Sequence, residues 1–374
     1  MYTRFVKLMK LTKPTMIVNK TRVINSIKKM ITKAEKSKVQ FRPHFKTHQS
    51  ADIGKWFKEL DVKSIAVSSV DMAEYFAENG WEDITIAFLV NLNQIDQINS
   101  LASKIKLGLL VDSFETVNFL KENLTANVVI WIKIDTDYHR TGIHWDNESK
   151  ISKLIREIKS SEKMDFEGLL THAGHAYKAK STRGIEDVFE DTVVKLKNIQ
   201  ERLFLQGFSI VKLSIGNTPV CSVVEDFTGV DEIRPGNFVF YDVSQFKIGS
   251  CKEQDIAMAI ACPIVAKYPE RNEIVIYGGA IHLSKDILPY DEKIWYFGLV
   301  TLPSKDGWSE IVQDVYVKSL SQEHGTIHAT EEFIESVEIG DFLYILPIHS
   351  CLTANLLKKY ITLEGKTLDF NNKI

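Results

Sequence analysis

Eight short apolar segments recur between residues 39 and 242, each followed by a more polar stretch in which apolar residues have helical spacing. Apolar strands that alternate with amphipathic helices indicate a parallel sheet buried on both faces, and eight such units predict an α/β fold, a closed (β/α)8 TIM-type barrel. An open doubly wound sheet is the alternative, but its glycine-rich loop is absent after the first strand. The segments are Val39–His44, Ser64–Val70, Ile84–Val90, Ile105–Asp112, Val128–Asp135, Phe166–Ala173, Val211–Asn217 and Glu232–Asp242.

After about residue 245 the pattern changes to short alternating strands joined by turns, which predicts a second, mostly β-strand domain. Thr15–Val18 is also strand-like and is a candidate to pair with that domain. We therefore predict a barrel at residues 20–245 and a β domain at residues 246–374 together with residues 1–19. The predicted strands of the β domain are Ile256–Val265, Glu273–Tyr277, Val312–Val317, Thr326–His328, Phe342–Leu346 and Tyr360–Leu363.

The charges of the chain nearly cancel, with 46 Lys and Arg against 49 Asp and Glu. This balance argues against nucleic acid or a membrane as the partner and favours a small polar substrate. Four widely separated cysteines without a CxxC pair indicate reduced thiols rather than disulfides. Residues 1–10 mix Arg and Lys into their apolar residues, which is not typical of a signal peptide, and no apolar run is long enough to cross a membrane. A cytoplasmic protein is expected.

The segment Arg42–His48, Arg-Pro-His-Phe-Lys-Thr-His, follows the first predicted strand. A lysine directly after a buried strand, here Lys46, must be desolvated or paired, and either condition shifts its pKa and can make it a nucleophile. The alternative is a lysine that simply reaches solvent at the end of a strand. Barrel chemistry takes place at the carboxyl ends of the strands, so the other strand ends bear on this choice.

Two segments after the seventh and eighth strands are typical of an anion site: Ser214–Pro219, Ser-Ile-Gly-Asn-Thr-Pro, and Arg234–Asn237, Arg-Pro-Gly-Asn. Barrels bind phosphate at this position through backbone N–H groups, which glycine allows to approach closely. Each segment alone could be an ordinary turn, but together they favour phosphate binding. Arg140, after the fifth strand, is suited to hold an anionic oxygen, although a structural salt bridge with Asp135 or Asp137 explains it equally well.

In the second predicted domain, His349 and Cys351 are two residues apart after an apolar strand. In an extended segment both side chains would point to one face and offer a nitrogen and a sulfur to a metal ion. Such a pair is often incidental, but a catalytic zinc needs only two or three protein ligands beside water or substrate.

Taken together, these motifs resemble the D-threonine aldolase/D-serine dehydratase family, which is metal-activated, pyridoxal-dependent and alanine-racemase-like, over nearly the whole chain. Arg42–His48 is similar to the family's pyridoxal-lysine motif. The segment His172–Tyr177, His-Ala-Gly-His-Ala-Tyr, is similar to its sixth-strand segment. Asn217-Thr218 and Gly236-Asn237 fall at its phosphate-binding positions. His349-Ser-Cys351 resembles the metal pair of the dehydratases, where the aldolases have aspartate at the position of Cys351.

The resemblance implies a barrel with a β domain, usually a homodimer, with the active site between the domains. Lys46 would hold pyridoxal 5'-phosphate covalently and, once released, would take the proton from Cα of the substrate. Arg140 would lie near the phenolic oxygen of the cofactor, and His172 and Tyr177 near its ring or the substrate. Thr218, Gly236 and Asn237 would hold the phosphate.

A divalent metal, expected to be Zn²⁺, would bind His349 and Cys351 and activate the β-hydroxyl group of the substrate. The expected reaction is dehydration of a D-β-hydroxy amino acid such as D-serine or D-threonine to a keto acid and ammonia. An aldolase, an amino acid racemase and a non-catalytic pyridoxal-phosphate carrier stay open as alternatives. The chain departs from the family in Tyr277–Lys285, where His282 or Lys285 could alter the substrate pocket. Glu323 or His324 lines the metal side or belongs to a structural hairpin, and the roles of His44 and His48 are open.

Overall fold

The computed structural model describes residues 11–209 and 211–372, so the prediction about residues 1–10 lies outside the described residues. The fold divides into two compact units. In the described part of the chain, the barrel unit comprises residues 28–209, 211–236 and 371–372, and the β unit comprises residues 11–27 and Asn237–Phe370. The units divide after Ile27 and after Gly236, whereas the sequence predicts domain boundaries after residues 19 and 245.

The barrel unit contains one parallel sheet of nine strands, eight of which follow one another around the barrel. An additional parallel bridge between His44 and Ala66 links the two ends of the sheet, so the barrel is nearly closed. The (β/α)8 prediction is therefore confirmed, and each predicted apolar segment overlaps one strand, although two strands begin earlier than predicted, at Asp83 and at Met164. In the order of their hydrogen bonding the strands are Gln40–Phe41, Glu232–Ile233, Lys212–Ile215, Met164–Thr171, Val128–Asp135, Lys106–Val111, Asp83–Leu89 and Ser64–Val67, and Ile143–His144 pairs with Val128–Asp135.

Burial on both faces explains the continuous apolar strands, as at Ile132 and Ile134, which are fully buried with Lys133 between them. Most of the helices begin at a Ser or Asn side chain that accepts a backbone N–H group from the first turn. The helices are Lys20–Ser37, which crosses the unit boundary, Ala51–Lys58, Val70–Glu78, Ile95–Ala102, Phe114–Asn123, Glu148–Lys159, Thr182–Leu205 and Thr218–Val223, with 3₁₀ turns at Leu92–Gln94 and Gly174–Lys178.

The β unit contains a sheet of nine strands, six of which close into an antiparallel ring because Glu273–Tyr277 pairs on both sides. In hydrogen-bonding order the ring is formed by Met258–Tyr268, Glu273–Tyr277, His324–His328, Tyr316–Leu320, Gly298–Thr301 and Phe342–Pro347. The three further strands are Thr15–Val18, Tyr360–Thr362 and Thr367–Leu368.

Thr15–Val18 pairs antiparallel with Met258–Tyr268 and parallel with Tyr360–Thr362, so its predicted pairing is confirmed. The predicted strand Val312–Val317 begins later, at Tyr316, because the backbone turns at Asp314 with a φ of 57°. Two short hairpins are formed by Leu288–Pro289 with Trp295–Tyr296 and by Pro303–Ser304 with Gly307–Trp308. The helices of the unit are Val243–Lys247, Ala280–Leu283, Glu331–Ser336 and Ser350–Leu357, with 3₁₀ turns at Asn237–Val239, Glu253–Asp255 and Pro269–Arg271.

Within the described residues, no helix is both long enough and apolar enough to pass through a membrane.

Candidate active site

Lys46 lies in the turn that follows the first barrel strand, and its side chain is exposed. The expectation that the Lys46 side chain is buried is therefore wrong for the protein without a ligand, and the side chain forms no ion pair with a described residue. The strand is only two residues long, Gln40–Phe41, so the chain has left the sheet before it reaches Lys46. The backbone N–H group of Lys46 donates a hydrogen bond to Nδ1 of His44 at 3.3 Å. The buried imidazole of His44 thus orients the turn that carries the lysine.

His48 belongs to the core of the barrel unit. Its Nδ1 accepts a hydrogen bond from the backbone N–H group of Ser50 at 3.1 Å. Its ring packs against Phe45, with the centroids 4.4 Å apart, and against Phe57 at 5.8 Å. Burial lowers the pKa of His48 to about 3, so the imidazole is neutral at physiological pH. Of the two histidines in the motif, His44 is the one that accepts the backbone N–H group of Lys46.

A cluster of buried basic side chains lies near the carboxyl ends of the barrel strands. Burial, helped by the nearby Arg234 and Arg140, lowers the pKa of Lys133 to about 7. Burial and then neighbouring cations, Lys46 among them, lower the pKa values of His44 and His172 well below their usual range. We call Lys133, Arg234, His44 and His172 the basic cluster.

Lys133 is the unexpected member of the basic cluster. It is only 5 % exposed, and its ammonium makes no hydrogen bond or ion pair with any described residue. Sequence reasoning missed both Lys133 and Arg234. The signal that could have found them is a charged residue inside an apolar segment, as in Trp-Ile-Lys-Ile-Asp and Glu-Ile-Arg-Pro.

Arg234 is held by the strands next to it. Its Nε donates to Oγ of Ser214 at 2.6 Å, and a terminal nitrogen donates to the carbonyl oxygen of Thr171 at 2.7 Å. The carboxylate of Glu232 lies 3.6 Å from Arg234 but pairs at 2.6 Å with Arg42. Arg42 also pairs with Asp83 at 2.6 Å, so Glu232 and Asp83 together face the two arginines, and Arg234 has only the longer contact with Glu232.

Arg140 is exposed and lies over the ring of Tyr138, 5.3 Å from its centroid. Among the described residues it forms no salt bridge with Asp135 or Asp137, so the structural salt bridge considered from sequence is not found. Asp135 instead accepts the backbone N–H groups of Tyr138 and His139, each at 3.0 Å. The guanidinium of Arg140 is therefore not neutralised by either carboxylate.

His172, Tyr177 and Thr218 are brought together at the ends of the sixth and seventh strands. Nδ1 of His172 donates to the carbonyl oxygen of Gly216 at 2.6 Å, and its ring lies 6.2 Å from that of Tyr177. The hydroxyl group of Tyr177 accepts the backbone N–H group of Thr218 at 3.4 Å. Three predicted site residues thus lie at one edge of the barrel.

Gly236 lies directly against the lysine motif. A Cβ atom at this position would be 3.1 Å from the carbonyl oxygen of His44 and 3.2 Å from its Cβ. Its backbone N–H group donates to no described residue. The glycine therefore leaves a backbone donor available beside His44, as an anion site requires.

Asn237, also predicted to bind the cofactor, directs its side chain into its own unit. Its Nδ2 donates to Asp242 at 2.6 Å and to Ser350 at 2.9 Å. The predicted role of Asn237 toward the phosphate thus depends on its backbone rather than on its amide side chain.

The predicted metal pair, His349 and Cys351, is not extended. His349 has extended backbone angles, but the helix Ser350–Leu357 begins at the next residue. Burial alone would lower the pKa of His349, but hydrogen bonds to Asp286 and Cys351 and the charge of Asp242 raise it. Imidazole and thiol are therefore neighbours despite the helix. Within the described part of the chain, no group of three or more His, Cys, Asp and Glu residues has the geometry to hold a metal ion.

The segment around Glu323 is a hairpin that packs on Gly279. The backbone N–H group of Ser321 donates to the carbonyl oxygen of His324, which closes the turn. A Cβ atom on Gly279 would lie 2.3 Å from the carbonyl oxygen of Gln322. Nε2 of His282 lies 4.0 Å from the carboxylate of Glu323. The structural hairpin considered from sequence is present.

Comparison with known families agrees with this architecture. The family described as alanine racemase, N-terminal domain, matches residues 18–243, and one described as "Putative serine dehydratase domain" matches residues 257–363. Since the first match covers more than half of the chain, the chain belongs to the alanine racemase N-terminal domain family.

Individual relatives are similar over their full length. D-serine dehydratase of Dictyostelium discoideum is 29% identical over 96% of this chain and 95% of its own. The solved D-threo-3-hydroxyaspartate dehydratase of Delftia sp. HT23 is 25% identical, with a TM-score of 0.88 over 97% of this chain and 98% of its own. D-threonine aldolase of Filomicrobium marinum shares the fold, with a TM-score of 0.79 at 18% identity over 98% of this chain and 97% of its own. The predicted resemblance to the D-threonine aldolase/D-serine dehydratase family is thus confirmed.

Proposed function

We propose that the protein is a pyridoxal-phosphate-dependent, metal-assisted lyase that dehydrates D-β-hydroxy amino acids, with D-serine or D-threonine as substrates. The products are pyruvate or 2-oxobutanoate, each with ammonia. The observation that carries the proposal is the basic cluster next to the exposed Lys46, in which the buried ammonium of Lys133 has no hydrogen-bond or ion-pair partner among the described residues. The dehydratases among the relatives support the reaction type.

The residues of the barrel unit fit pyridoxal phosphate. A buried ammonium without a partner, such as that of Lys133, is costly unless an anion compensates it, and the cofactor carries a phosphate and a phenolic oxygen. The open backbone donor at Gly236 suits phosphate. The residues that would hold the cofactor are Lys46, Arg140, His172, Tyr177, Thr218, Gly236 and the backbone of Asn237.

When bound, pyridoxal phosphate supplies an electron sink for the bond broken at Cα. The amine of Lys46 takes the proton from Cα of the substrate, and the hydrogen bond from its backbone to His44 keeps the turn in place. His172 stays neutral among the surrounding cations and donates its Nδ1 proton to Gly216, so its Nε2 can only accept. Through Nε2 the imidazole of His172 can therefore accept a hydrogen bond and orient the group that donates it, and the ring adds no positive charge to the site.

The donor set of His349 and Cys351 fits a divalent metal of borderline softness, which favours zinc. When bound, the metal supplies Lewis acidity to the β-hydroxyl group that leaves as water. Two protein ligands leave positions open for substrate and water, in agreement with the lack of a third ligand among the described residues. Asp286, 3.7 Å from Nδ1 of His349, would orient the imidazole.

Product analysis tests the reaction. Purified protein loaded with pyridoxal phosphate and zinc should convert D-serine to pyruvate and D-threonine to 2-oxobutanoate, with one ammonia per turnover. Glycine with acetaldehyde from D-threonine would instead establish the aldolase, and L-serine from D-serine would establish a racemase. L-serine as the starting substrate is the stereochemical control and should give no pyruvate.

Peptide mapping tests the attachment of the cofactor. After borohydride reduction, the mass of the cofactor should be found on the peptide that contains Lys46. Lys133 is the internal control, because it is another lysine of the barrel unit and its own pKa is lowered to about 7. Label on Lys133 and not on Lys46 would refute the assignment.

We also propose that the protein works in the cytoplasm as a homodimer. The described residues include all four cysteines, and none of these forms a disulfide, which supports a reducing compartment. Analytical ultracentrifugation should give twice the chain mass of 42.6 kDa. A sedimenting species of one chain mass at micromolar concentration would contradict the dimer.

A further inference from the structure

The side chain of Asn237 lies against the predicted metal pair rather than against a phosphate. It is 6 % exposed, and its Nδ2 donates to Oδ2 of Asp242 at 2.6 Å, to Oγ of Ser350 at 2.9 Å and to Sγ of Cys351 at 3.7 Å. All of these residues belong to the β unit. The amide thus contacts two consecutive residues of the segment that carries the proposed metal ligands.

The orientation of this amide is fixed by its partners. Oδ2 of Asp242 also accepts the backbone N–H group of Ser350, so it acts as an acceptor, and the NH₂ group of Asn237 faces it. The oxygen Oδ1 is buried and has no hydrogen-bond partner among the described residues. A flipped amide would place its oxygen against Oδ2 of Asp242, which already serves as an acceptor.

Besides the amide of Asn237, Asp242 binds two backbone N–H groups. Its Oδ2 also accepts the backbone N–H group of Ser350 at 2.9 Å, and its Oδ1 accepts that of Gln245 at 3.0 Å. Asp242 is 1 % exposed, so these contacts are shielded from water. One carboxylate therefore fixes the start of the helix Ser350–Leu357 and the amide that reaches Cys351.

We propose that Asn237, fixed by Asp242, is a positioning residue for the metal ligand Cys351: its amide donates a hydrogen bond to the cysteine sulfur. An N–H donor to a thiolate withdraws charge from the sulfur and fixes its direction, and such outer contacts change metal affinity about 10–100-fold. This inference rests on the proposed function, because it assumes that the sulfur binds a metal. It reassigns the side chain of Asn237 from the phosphate to the metal.

Metal affinity and a spectrum test the proposal. Asn237→Leu keeps the approximate volume but removes the donor. We expect zinc, measured by competition with a chromophoric chelator, to bind Asn237→Leu at least tenfold more weakly than the parent protein. In the cobalt-substituted protein, the sulfur-to-cobalt charge-transfer band should shift or weaken. The affinity for pyridoxal phosphate should change less than twofold.

Asn19→Leu is the matched control. Asn19 is also 6 % exposed, lies in the β unit and donates its amide to a backbone oxygen, that of Asp306, away from the metal pair. It should lower the midpoint of thermal unfolding as Asn237→Leu does, while zinc affinity and the cobalt band stay those of the parent. If both variants lose zinc affinity equally, general destabilisation explains the effect and the proposal is wrong.

Two further outcomes distinguish a failure of this inference from a failure of the proposed function. If Asn237→Leu loses pyridoxal phosphate and keeps zinc, the side chain serves the phosphate and the present proposal fails while the proposed function stands. If the parent protein itself does not bind zinc or cobalt, the metal in the proposed function fails and this inference fails with it.

Discussion

Lys133 shows how a single buried charge prepares the barrel unit for an anion. The side chain is almost fully buried, and its ammonium forms no hydrogen bond or ion pair with a described residue. In the protein without cofactor this arrangement costs stability, since an ammonium prefers water or a carboxylate. The cost is offset when an anionic ligand binds. The barrel unit is therefore less stable without a ligand than it could be, and binding of an anion recovers that stability.

This cost predicts that Lys133→Met stabilises the cofactor-free protein. The folded pKa of about 7 is below the ordinary lysine value of 10.5, so the unfolded chain binds more protons between these values and stability rises with pH across this window. The variant should exceed the parent by on the order of a few kcal/mol at pH 7 and by much less near pH 10. Urea unfolding at both pH values measures this. An equal gain at both would show that packing, and not charge, is responsible.

The site residues that sequence could predict are those beyond the strand ends, such as Lys46, His172 and Thr218, where polar residues interrupt an apolar pattern. Lys133 could not be predicted in this way. It lies inside a strand that is buried on both faces, so alternation does not indicate where its side chain points. Arg234 could not be predicted for the same reason. The direction of the Asn237 side chain depends on partners such as Ser350, more than 100 residues away in sequence.

At the level of elements, the first and eighth barrel strands are only two residues long each, so few backbone hydrogen bonds join them. Arg42 strengthens this part of the barrel. Its guanidinium binds Glu232 on the eighth strand and Asp83 on the third, each at 2.6 Å. The ion pairs of Arg42 thus connect strands at the place where the strands are short and share few backbone hydrogen bonds.

Arg42→Met should therefore destabilise the barrel unit by about 3–5 kcal/mol, because it leaves Glu232 buried beside one remaining arginine. Denaturant unfolding of the cofactor-free protein measures the loss. Lys55→Met is the control, since the pair of Lys55 with Asp52 is solvent-exposed and should contribute less than about 1 kcal/mol. Similar losses in both variants would refute a special role for the buried pair.

The hairpin at Ser321–Gly325 needs glycine at position 279. A Cβ atom there would meet the backbone oxygen of Gln322 at 2.3 Å, and a backbone oxygen cannot rotate away. Gly279→Ala should cost about 3 kcal/mol, the upper end for overpacking, and should increase hydrogen exchange in the hairpin. In the control Gly340→Ala the new Cβ meets nothing within 4 Å, so only the strain of a φ of 94° is added, about 1–2 kcal/mol. Unchanged exchange in the hairpin of Gly279→Ala would contradict this contact.

The loop after the fifth barrel strand, which carries Arg140, is held by a histidine between two carboxylates. Nδ1 of His144 lies 2.6 Å from Asp146 and Nε2 lies 2.9 Å from Asp137, and these hydrogen bonds raise the pKa of His144. A raised folded pKa means that the stabilisation is complete below the unfolded value of 6.5 and is lost as the pH rises through the folded value. The loop should become less ordered in alkaline solution.

Titration of His144 by NMR checks this. The pKa should lie above 6.5 in the parent and fall toward 6.5 in Asp146→Asn. Asp165→Asn, which removes an exposed charge elsewhere on the barrel unit, should leave the pKa where it was. A pKa that is the same in all three proteins would show that the carboxylates do not hold the ring.

At the level of the whole molecule, each unit has a candidate ligand of its own, and ligands stabilise the unit that they bind. At 100 times its dissociation constant a ligand adds about 2.7 kcal/mol. Hydrogen exchange with mass spectrometry should therefore show that zinc protects peptides around Ser350–Leu357, whereas pyridoxal phosphate protects the barrel peptide with Lys46. Protection by zinc of barrel peptides alone would contradict the assignment of the metal to the His349 and Cys351 pair.

The barrel could be predicted from sequence because each strand leaves a continuous apolar segment, whereas the β unit was predicted less completely. The strand Gly298–Thr301 was missed, since its first residue is a glycine that gives no strand signal. The reason for that glycine lies on the neighbouring strand, where Cγ2 of Ile345 would be 2.7 Å from a Cβ atom. Such a requirement is set by the three-dimensional neighbour, which sequence pattern does not contain.

The position of Thr15–Val18 in the sheet of the β unit has a consequence for synthesis. This strand leaves the ribosome before every strand of the barrel, yet both of its partners, Met258–Tyr268 and Tyr360–Thr362, are translated after the barrel is complete. At 5–20 residues per second, an apolar strand waits roughly 10–50 s for its first partner. The barrel can fold in that interval, but the nascent chain carries an unpaired strand throughout, which makes this segment the natural binding site for a chaperone during translation.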